Sequence, residues 1–395
     1  MKLTNCRLVP QLSNGVDFLA DIVLEAGKIV SVEPSGGQGD VDCGGRTVIP
    51  GLLDLHVHLV TDHAPNDVWH AFDMYYKVAP ELANFLDYGV TTVRDCGSTM
   101  SLACRLREGV ENGFFEGPRI LSSGHIISPE AMRNAAEGGI HVIANGADEM
   151  MKAGRKEMAD GADFIKIYAT QSISQVRGHD PLCIMTEEEI CQLVAVARQN
   201  YTYVAAHAHS TDAINTCIRC GVRSIEHATY MDDESIRLLL ETPEVYVVLT
   251  HACGEPYHGD DGFNDPAFVK LWSSPYFVES KKRCRAMENR AYLAGVRIGV
   301  GTDLLPSEAV KYPYELMIRK DSCGMADLDI LLQATKISAE IAMIGDQVGE
   351  VKPGMCADLL VVDGKPDEDI SALYKKPAMV FKDGKLVRRD GKRIR

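Results

Sequence analysis

The chain lacks an excess of basic residues: 56 Asp and Glu residues stand against 41 Lys and Arg residues, for a formal net charge of −15. A protein that binds nucleic acid needs positive charge to neutralise phosphates, so this balance argues against a nucleic acid partner. The chain also lacks an uninterrupted apolar run long enough for a membrane helix. We therefore expect neither nucleic acid nor a membrane as a partner.

The first residues, MKLTNCRLVP, lack the long apolar core of a secretory signal. Twelve cysteines are dispersed through 395 residues, a length that does not need disulfide staples. Together these features predict a cytoplasmic protein with reduced thiols. Cys217 and Cys220 form a CxxC pair, but they lie in the helix-like segment TDAINTCIRCGV, so we interpret them as part of a helix.

Two β-rich ends enclose a long middle region. Residues 1–50 and 350–395 alternate short apolar segments with turns, which indicates short antiparallel strands. Three Asp-Gly pairs near the end of the chain are typical of tight hairpin turns: Asp363-Gly364, Asp383-Gly384 and Asp390-Gly391. We predict that both ends combine into one small β-sandwich domain.

The middle region, 51–349, alternates short apolar segments with segments of helix length. This alternation predicts an α/β fold, a (β/α)8 TIM barrel. Its eight strands are predicted near residues 52–59, 90–96, 119–124, 164–169, 203–209, 224–229, 245–250 and 297–303. Residues 252–276 have an irregular sequence, and we interpret them as a lid, a substrate-contacting loop or an oligomer contact.

The segment VIPGLLDLHVHLV carries His56 and His58 at the end of an apolar run that follows a Pro-Gly turn. Alternate residues of a strand point to the same face, so both imidazoles can bind one metal ion. Other ionisable residues follow the later strands, and active sites of such barrels lie at these strand ends. They are Lys166, His207, His209, His227 and Asp303. Burying so many ionisable groups together is costly unless a metal pairs with them.

Several motifs together resemble the amidohydrolase superfamily: PGLLDLHVHL, GVTTVRDCG, GADFIKIYAT, AAHAHS, SIEHATYMDDE, GVGTDLLP and GEVKPGMCADLLVVDG. They occur in the order found in that family and cover nearly the whole chain. Within the superfamily they are similar to the branch that contains Xaa-Pro dipeptidases (prolidase-like enzymes), ochratoxinase and imidazolonepropionase. The resemblance implies a metal-bearing barrel with a β-sandwich built from both ends.

The resemblance also implies a role for each strand-end residue. His56 and His58 would bind the more buried metal ion together with Asp303, and His207 and His227 would bind the second ion. Lys166 would carry a carbamate that bridges the two ions. Zinc suits this mixture of imidazole and carboxylate best, and manganese and cobalt stay open. The ions would hold a bridging hydroxide that attacks an amide or peptide bond, and Asp303 would be the catalytic acid and base.

The sequence departs from its relatives where substrate is bound. Many prolidase-like relatives carry TGGH after the third strand, whereas this chain reads SSGHIISPEAMRNAAEGG; His125 or His141 could replace the missing histidine. The other candidate substrate-binding residues are Tyr168, His209 and Tyr230. Arg94 is expected to form an ion pair near the site. A free substrate carboxylate would need a cation, for which Arg177, His179 and Lys311 are candidates.

The predicted substrate is a dipeptide or an N-acyl amino acid. One alternative is the hydrolysis of a cyclic amide or a deamination, as in imidazolonepropionase relatives, which usually lack the bridging lysine. A second is phosphotriester or lactone hydrolysis at the same site, and a third is a scaffold without activity. We also expect a homo-oligomer, of a size that no sequence feature fixes.

Overall fold

The computed structural model describes residues 1–61, 68–130, 139–173, 179–255 and 266–394. Its strands are β1 (Lys2–Leu8), β2 (Ala20–Glu25), β3 (Lys28–Pro34), β4 (Val41–Asp42), β5 (Thr47–Pro50), β6 (Leu52–Val57), β7 (Val90–Asp95), β8 (Arg119–Ser122), β9 (Ile126–Ser128), β10 (His141–Ile143), β11 (Ile165–Tyr168), β12 (Val204–Ala208), β13 (Ser224–His227), β14 (Tyr246–Leu249), β15 (Ile298–Val300), β16 (Leu359–Val362), β17 (Met379–Lys382), β18 (Lys385–Arg389) and β19 (Lys392–Arg393).

The α-helices are α1 (Val68–Val78), α2 (Ala83–Asp87), α3 (Leu102–Glu111), α4 (Gly146–Ala159), α5 (Glu187–Gln199), α6 (Thr211–Cys220), α7 (Asp233–Glu241), α8 (Pro266–Trp272), α9 (Pro275–Ala294), α10 (Tyr312–Asp321), α11 (Asp327–Leu332) and α12 (Ser338–Ile341). A π-helical turn, Gln333–Ile337, joins α11 to α12. Short 3-10 helices lie at Pro10–Leu12, Ala79–Leu82, Thr99–Ser101, Ala252–Gly254, Pro306–Lys311 and Ile370–Tyr374.

The eight predicted barrel strands are confirmed as β6, β7, β8 and β11 to β15. Strands β6, β7 and β8 pair in parallel, and β11 to β15 pair in parallel in chain order. The sheet closes between its last and first strands, because the backbone N–H groups of Thr302 and Asp303 both donate to the carbonyl oxygen of His56, at 3.2 and 2.6 Å. This closure brings the carboxyl end of β6 beside Asp303.

The short strands β9 and β10 were not predicted. β9 continues the course of β8 after a three-residue interruption and pairs with β11, while β10 pairs with the outer side of β9. Each has only three residues, too few to show a period in the sequence.

Local sequence accounts for the helices that follow the strands. Helix α5 begins with a capping box, in which the Thr186 hydroxyl accepts from the backbone N–H of Glu189 and the Glu189 carboxylate accepts from that of Thr186. Helix α6 contains Cys217 and Cys220, as predicted, and ends at Gly221 with a φ of 80°, a conformation that glycine adopts without strain.

The β-domain built from both termini is confirmed. Its nine strands form one mixed sheet in the order β19-β18-β17-β16-β5-β1-β2-β3, with β4 paired to β1. A separate apolar cluster fills this domain, and its members include Leu3, Ile22, Leu359 and Phe381. All twelve cysteines of the chain are free thiols.

Two of the three predicted hairpin turns are confirmed. Asp383-Gly384 joins β17 to β18 and Asp390-Gly391 joins β18 to β19, with positive φ at all four residues. The third predicted hairpin turn, Asp363-Gly364, was wrong. Strand β16 does pair with β17, but residues 363–378, which include the 3-10 helix Ile370–Tyr374, connect the two strands.

The predicted irregular stretch 252–276 contains helical structure. Helix α8 occupies Pro266–Trp272, and α9 begins at Pro275, while residues 256–265 lie outside the described part of the chain. No helix among the described residues is long and apolar enough to span a bilayer.

Candidate metal centre

The ends of five barrel strands supply the candidate ligands. His56 lies on β6 and His58 follows it, Lys166 lies on β11, His207 lies on β12, and His227 ends β13. Asp303 follows β15. Because all these strands run in parallel, the structure brings the six side chains to one end of the barrel.

One group of potential ligands contains His56, His227 and Asp303, whose ligand atoms all lie within 4.8 Å of one another. The Oδ1 atom of Asp303 lies 3.5 Å from Nε2 of His56 and 3.3 Å from Nε2 of His58. The other ring nitrogen of His58 lies 2.8 Å from the carbonyl oxygen of Gly97. The HxH pair therefore presents both Nε2 atoms to the same carboxylate.

A second group contains His207, His209 and His227, again with ligand atoms within 4.8 Å of one another. His227 belongs to both groups, so the two are adjacent. The Nδ1 atoms of His209 and His227 lie 2.7 and 2.6 Å from the hydroxyls of Thr229 and Thr250. These contacts leave Nε2 of both rings available to a ligand. The sequence did not assign His209 to the metal ligands, and in the structure one of its ring nitrogens lies within 4.8 Å of those of His207 and His227.

Lys166 is fully buried next to the first group. Its Nζ atom lies 3.4 Å from Nε2 of His56 and 5.7 Å from the ring centre of Tyr168. Among the described residues it has no carboxylate partner, although a buried ammonium ordinarily needs one. A salt-bridged core lysine is therefore not what the structure shows.

Burial sets the electrostatics of the site. It lowers the pKa of His56 to about 4 and that of His209 to about 3, with the charge of Lys166 acting in the same direction. It also lowers the pKa of His207 and His227 well below the ordinary value. These imidazoles are neutral near pH 7, which is the form that binds a metal.

The carboxyl group of Asp303 behaves in the opposite way. Burial alone would raise its pKa, but His56, His58 and Lys166 outweigh burial and hold the pKa well below its usual range. A carboxylate among imidazoles is a donor set that suits a divalent ion such as zinc. The residues present therefore fit a metal centre.

A buried carboxylate contacts the ring nitrogen of His56 that does not face Asp303. The Nδ1 atom of His56 lies 2.7 Å from Oε2 of Glu226, and Arg94 donates to the other carboxylate oxygen at 2.7 Å. Arg94 also donates to the hydroxyl of Ser224 and the carbonyl oxygen of Leu55. The expected ion pair of Arg94 is thus confirmed, but its partner Glu226 was not predicted. The sequence signal that could have identified Glu226 is its position directly before His227 in the segment SIEH.

The backbone is constrained at the same place. His227 and Asp303 have φ angles of 68° and 60°, a region that non-glycine residues adopt mainly at turns and functional sites. Gly301 packs directly on His56, and a Cβ atom there would lie 2.7 Å from Cβ of His56. Only glycine allows this approach of β15 to the HxH pair.

The candidate substrate-binding residues divide into two pairs. Tyr168 and His209 line a cavity of about 210 Å³ next to the metal donors, and Tyr168 stacks on His207 with ring centres 4.0 Å apart. Tyr230 and His125 are not among the cavity-lining residues. The Tyr230 hydroxyl bonds Ser280 at 2.7 Å, and His125 contacts Glu157 at 3.1 Å.

His141 lies nearer to the site than His125. Its ring packs edge-on against Tyr168 with ring centres 5.1 Å apart, and its Nδ1 atom lies 3.0 Å from the Ser128 hydroxyl. Burial, together with the charges of His58 and Lys166, lowers its pKa to about 4. Of the two candidates for the missing TGGH histidine, His141 is the one that contacts a cavity-lining residue.

The chain matches a known sequence family over most of its length. The model described as "Amidohydrolase family" matches residues 47–387. Ochratoxinase from Aspergillus niger is 26% identical over 377 residues, which cover 87% of this chain and 76% of that protein.

Solved structures give the same result. A prolidase in complex with N-methylphosphonate-L-proline has a TM-score of 0.84 and 29% identity, over 98% of this chain and 99% of the other. A Xaa-Pro dipeptidase with bound methionine in its active site has a TM-score of 0.80 and 28% identity, over 98% of each chain. The fold and the family resemblance inferred from the sequence are confirmed.

Proposed function

This chain belongs to the amidohydrolase family, and we propose that it is a binuclear metal-dependent hydrolase that cleaves the amide bond of a dipeptide-like or N-acyl amino acid substrate. The observation that carries the proposal is the pair of adjacent donor groups that share His227, one of which contains Asp303 and has Lys166 3.4 Å from its His56. The similarity to a prolidase, a Xaa-Pro dipeptidase and ochratoxinase supports the substrate class.

In this proposal His56, His58 and Asp303 hold one ion, and His207 and His227 hold the other. His209 lies close enough to the second group to contact either an ion or the substrate. When bound, two divalent ions, which we take to be zinc, would supply the Lewis acidity that makes water nucleophilic near neutral pH and polarises an amide carbonyl.

Lys166 would complete this donor set as a carbamate. Its neutral amine would attack carbon dioxide, form one N–C bond and release a proton. The product is a carboxylate-like group in a place where an ammonium has no carboxylate partner among the described residues. A negative group between two cation sites removes the repulsion that an ammonium would suffer there.

Asp303 would move the proton. Its carboxylate is ionised, because its interactions with His56 and His58 hold its pKa well below the usual range despite burial. It would accept the proton that the attacking water loses and donate it to the departing nitrogen. Tyr168 and His209, which line the cavity beside it, would orient the substrate carbonyl.

The test is metal analysis of the purified protein, followed by a screen for released amine. The panel contains Xaa-Pro dipeptides, other dipeptides and N-acyl amino acids, with lactones, phosphotriesters and cyclic amides for comparison. We expect two equivalents of metal per chain and cleavage of dipeptides or N-acyl amino acids. A single equivalent with cleavage only of cyclic amides would contradict the proposal, as would cleavage only of lactones or phosphotriesters.

We also propose a cytoplasmic location and self-association. The twelve free thiols are consistent with a reducing compartment. The exposed aromatic residues Trp69, Phe72 and Tyr76 of α1 are consistent with burial in a homo-oligomer. Light scattering of the purified protein tests the second point, and a monomer at all concentrations would contradict it.

A further inference from the structure

The cavity beside the metal donors has a wall that the proposed chemistry does not use. This wall is formed largely by α9, which contributes Lys281 and Arg285. Residues four positions apart lie on the same face of a helix, so both side chains reach the cavity. Among the described residues that line the cavity, Lys281 and Arg285 are the basic ones apart from the histidines.

Both cations share one carboxylate. Nζ of Lys281 lies 2.9 Å from Oε2 of Glu255, and Nη2 of Arg285 lies 3.3 Å from Oε1 of the same residue. Lys281 also donates to the carbonyl oxygen of Gly254 at 3.3 Å. The carboxylate of Glu255 therefore pairs with both cations, and Arg285 has a second carboxylate partner in Glu288.

The second carboxylate near Arg285 is occupied by other donors. The carboxylate of Glu288 accepts a hydrogen bond from Nη1 of Arg285 at 3.2 Å. Its oxygens also lie 3.1 Å from the imidazole of His251 and 3.0 and 3.2 Å from the thiols of Cys284 and Cys323. A guanidinium has five N–H donors. Among the described residues Arg285 uses two of them, at distances longer than the roughly 2.7–2.9 Å of strong charge-assisted bonds. It has donor capacity left for an anion.

Apolar side chains line the same cavity. Ile173, Trp272 and Phe277 belong to its lining, and the rings of Trp272 and Phe277 lie 4.7 Å apart. The cavity thus combines three features within about 210 Å³: the metal donors, an apolar surface and a pair of cations.

Two of the three candidate cations from the sequence, Lys311 and His179, lie outside the cavity lining. Lys311 is buried, pairs with Glu308 at 2.8 Å and does not line the cavity. His179 is exposed and outside the lining, and Arg177 lies outside the described residues. The structure offers Lys281 and Arg285 in their place.

We propose that Arg285 and Lys281 bind a carboxylate of the substrate, and that Ile173, Trp272 and Phe277 hold an apolar side chain next to that carboxylate. The inference rests on the proposed function, since it takes the scissile amide to lie at the metal donors. It names the substrate class as amides whose amine half is an amino acid with a free carboxylate and a large apolar side chain.

Glu255 makes the proposal testable in both directions. Because its carboxylate occupies both cations, a substrate carboxylate must compete with it. Removing Arg285 should weaken the binding of an anion. Glu255→Gln should strengthen it, because this variant leaves Lys281 without a carboxylate partner among the described residues and Arg285 with Glu288 alone.

The experiment is calorimetric titration of the metal-loaded protein with 3-phenylpropanoate and with its neutral analogue, 3-phenylpropanamide. We expect the wild-type protein to bind the anion about 10- to 100-fold more tightly, the value of one or two charge-assisted hydrogen bonds. Arg285→Gln should abolish this preference, Lys281→Gln should reduce it several-fold, and Glu255→Gln should increase it.

Arg290→Gln is the matched control, because Arg290 lies on the same helix, is exposed and pairs with Asp233 outside the cavity. If Arg285→Gln and Lys281→Gln keep the same preference for the anion as the control Arg290→Gln, the proposal is overturned. The proposal is also overturned if the preference for the anion persists in these variants but disappears when the metal is removed. The anion would then bind the metal ions rather than Arg285 and Lys281.

Hydrolysis gives a separate readout. In Arg285→Gln, kcat/KM for dipeptides and N-acyl amino acids with a free carboxylate should fall, while that for their C-terminal amides should change little. Binding needs no turnover. A protein that binds 3-phenylpropanoate through Arg285 yet cleaves no member of the panel would contradict the proposed function and keep the carboxylate subsite.

Discussion

His56 and Glu226 are held together by a buried contact of 2.7 Å between Nδ1 and Oε2. Because the carboxylate occupies Nδ1, the other ring nitrogen, Nε2, faces Asp303 and Lys166. A carboxylate behind a metal-binding imidazole fixes the orientation of the ring and raises its basicity. Arg94 compensates the charge of Glu226 in turn, so the buried pair of Glu226 and Arg94 orients the imidazole of His56.

The first prediction concerns Glu226→Gln. The amide keeps the size of the side chain but removes the charge that pairs with both His56 and Arg94. We expect metal affinity to fall roughly 10- to 100-fold. We also expect unfolding free energy to fall by about 3–5 kcal/mol, since Arg94 then remains as a buried charge without its partner.

Metal titration with a competing chelator and urea denaturation measure the two effects. Glu234→Gln is the control, because Glu234 lies on the surface of α7 and pairs with exposed arginines, where solvent screens salt bridges and makes their contribution small. Unchanged metal affinity in folded Glu226→Gln protein would show that the carboxylate does not support His56.

The second prediction concerns Lys166→Ala. If Lys166 carries a bridging carbamate, this variant should lose most turnover and retain less than two equivalents of metal. Short carboxylic acids such as acetate should partly restore both, because they can replace the missing carboxylate between the ions. Intact mass should show one added carbon dioxide on the wild-type protein only.

Lys311→Met provides the comparison for Lys166→Ala, since Lys311 is also a buried lysine but pairs with Glu308 and lies outside the cavity. Acetate should have no effect on its metal content. A Lys166→Ala protein with two equivalents of metal and full activity would refute the carbamate.

The third prediction concerns Asp303→Asn. Asparagine keeps one oxygen near His56 and His58 but can neither hold the negative charge nor accept a proton. We expect part of the metal to remain and kcat to fall by about 10²–10⁴, the usual contribution of an acid–base group. Asp346→Asn, at an exposed position, should match the wild-type protein. Wild-type kcat in Asp303→Asn would mean that another group moves the proton.

The sequence predicted the barrel and the cluster at its mouth for one physical reason. The carboxyl ends of parallel strands meet, so polar residues at strand ends converge even when they are far apart in the chain. The HxH pair at the end of β6 and the residues at the ends of β12, β13 and β15 needed no further information. Their convergence follows from topology alone.

The supporting and substrate-facing residues could not be predicted in the same way. Arg94 and Glu226 are 132 positions apart, and their pairing depends on which side chains meet inside the barrel. Lys281 and Arg285 lie on a helix, where charged residues ordinarily face solvent. Only the packing of α9 over the cavity shows that these two do not. The sequence between His125 and His141 shows neither a helical nor a strand period, so the sequence could not distinguish the two histidines.

The last prediction concerns the pH dependence of stability in the metal-free protein. Burial lowers the pKa of His209 in the folded state to about 3, whereas an imidazole in the unfolded chain has a pKa of about 6.5. Below pH 6.5 the unfolded state therefore binds a proton that the folded state does not. The stability that neutral His209 contributes is complete above pH 6.5 and is lost as the pH falls towards 3.

Between pH 7.5 and pH 5 this single group should cost about 2 kcal/mol of unfolding free energy. His209→Gln cannot take up a proton in either state, so its stability should fall by about 2 kcal/mol less than that of the wild-type protein over the same range. Urea denaturation of chelator-treated protein at the two pH values measures the difference. His179→Gln, at an exposed position, should follow the wild-type protein. If His209→Gln follows it as well, the imidazole is not held neutral by burial, and its availability to a metal ion or a substrate at neutral pH has to be explained in another way.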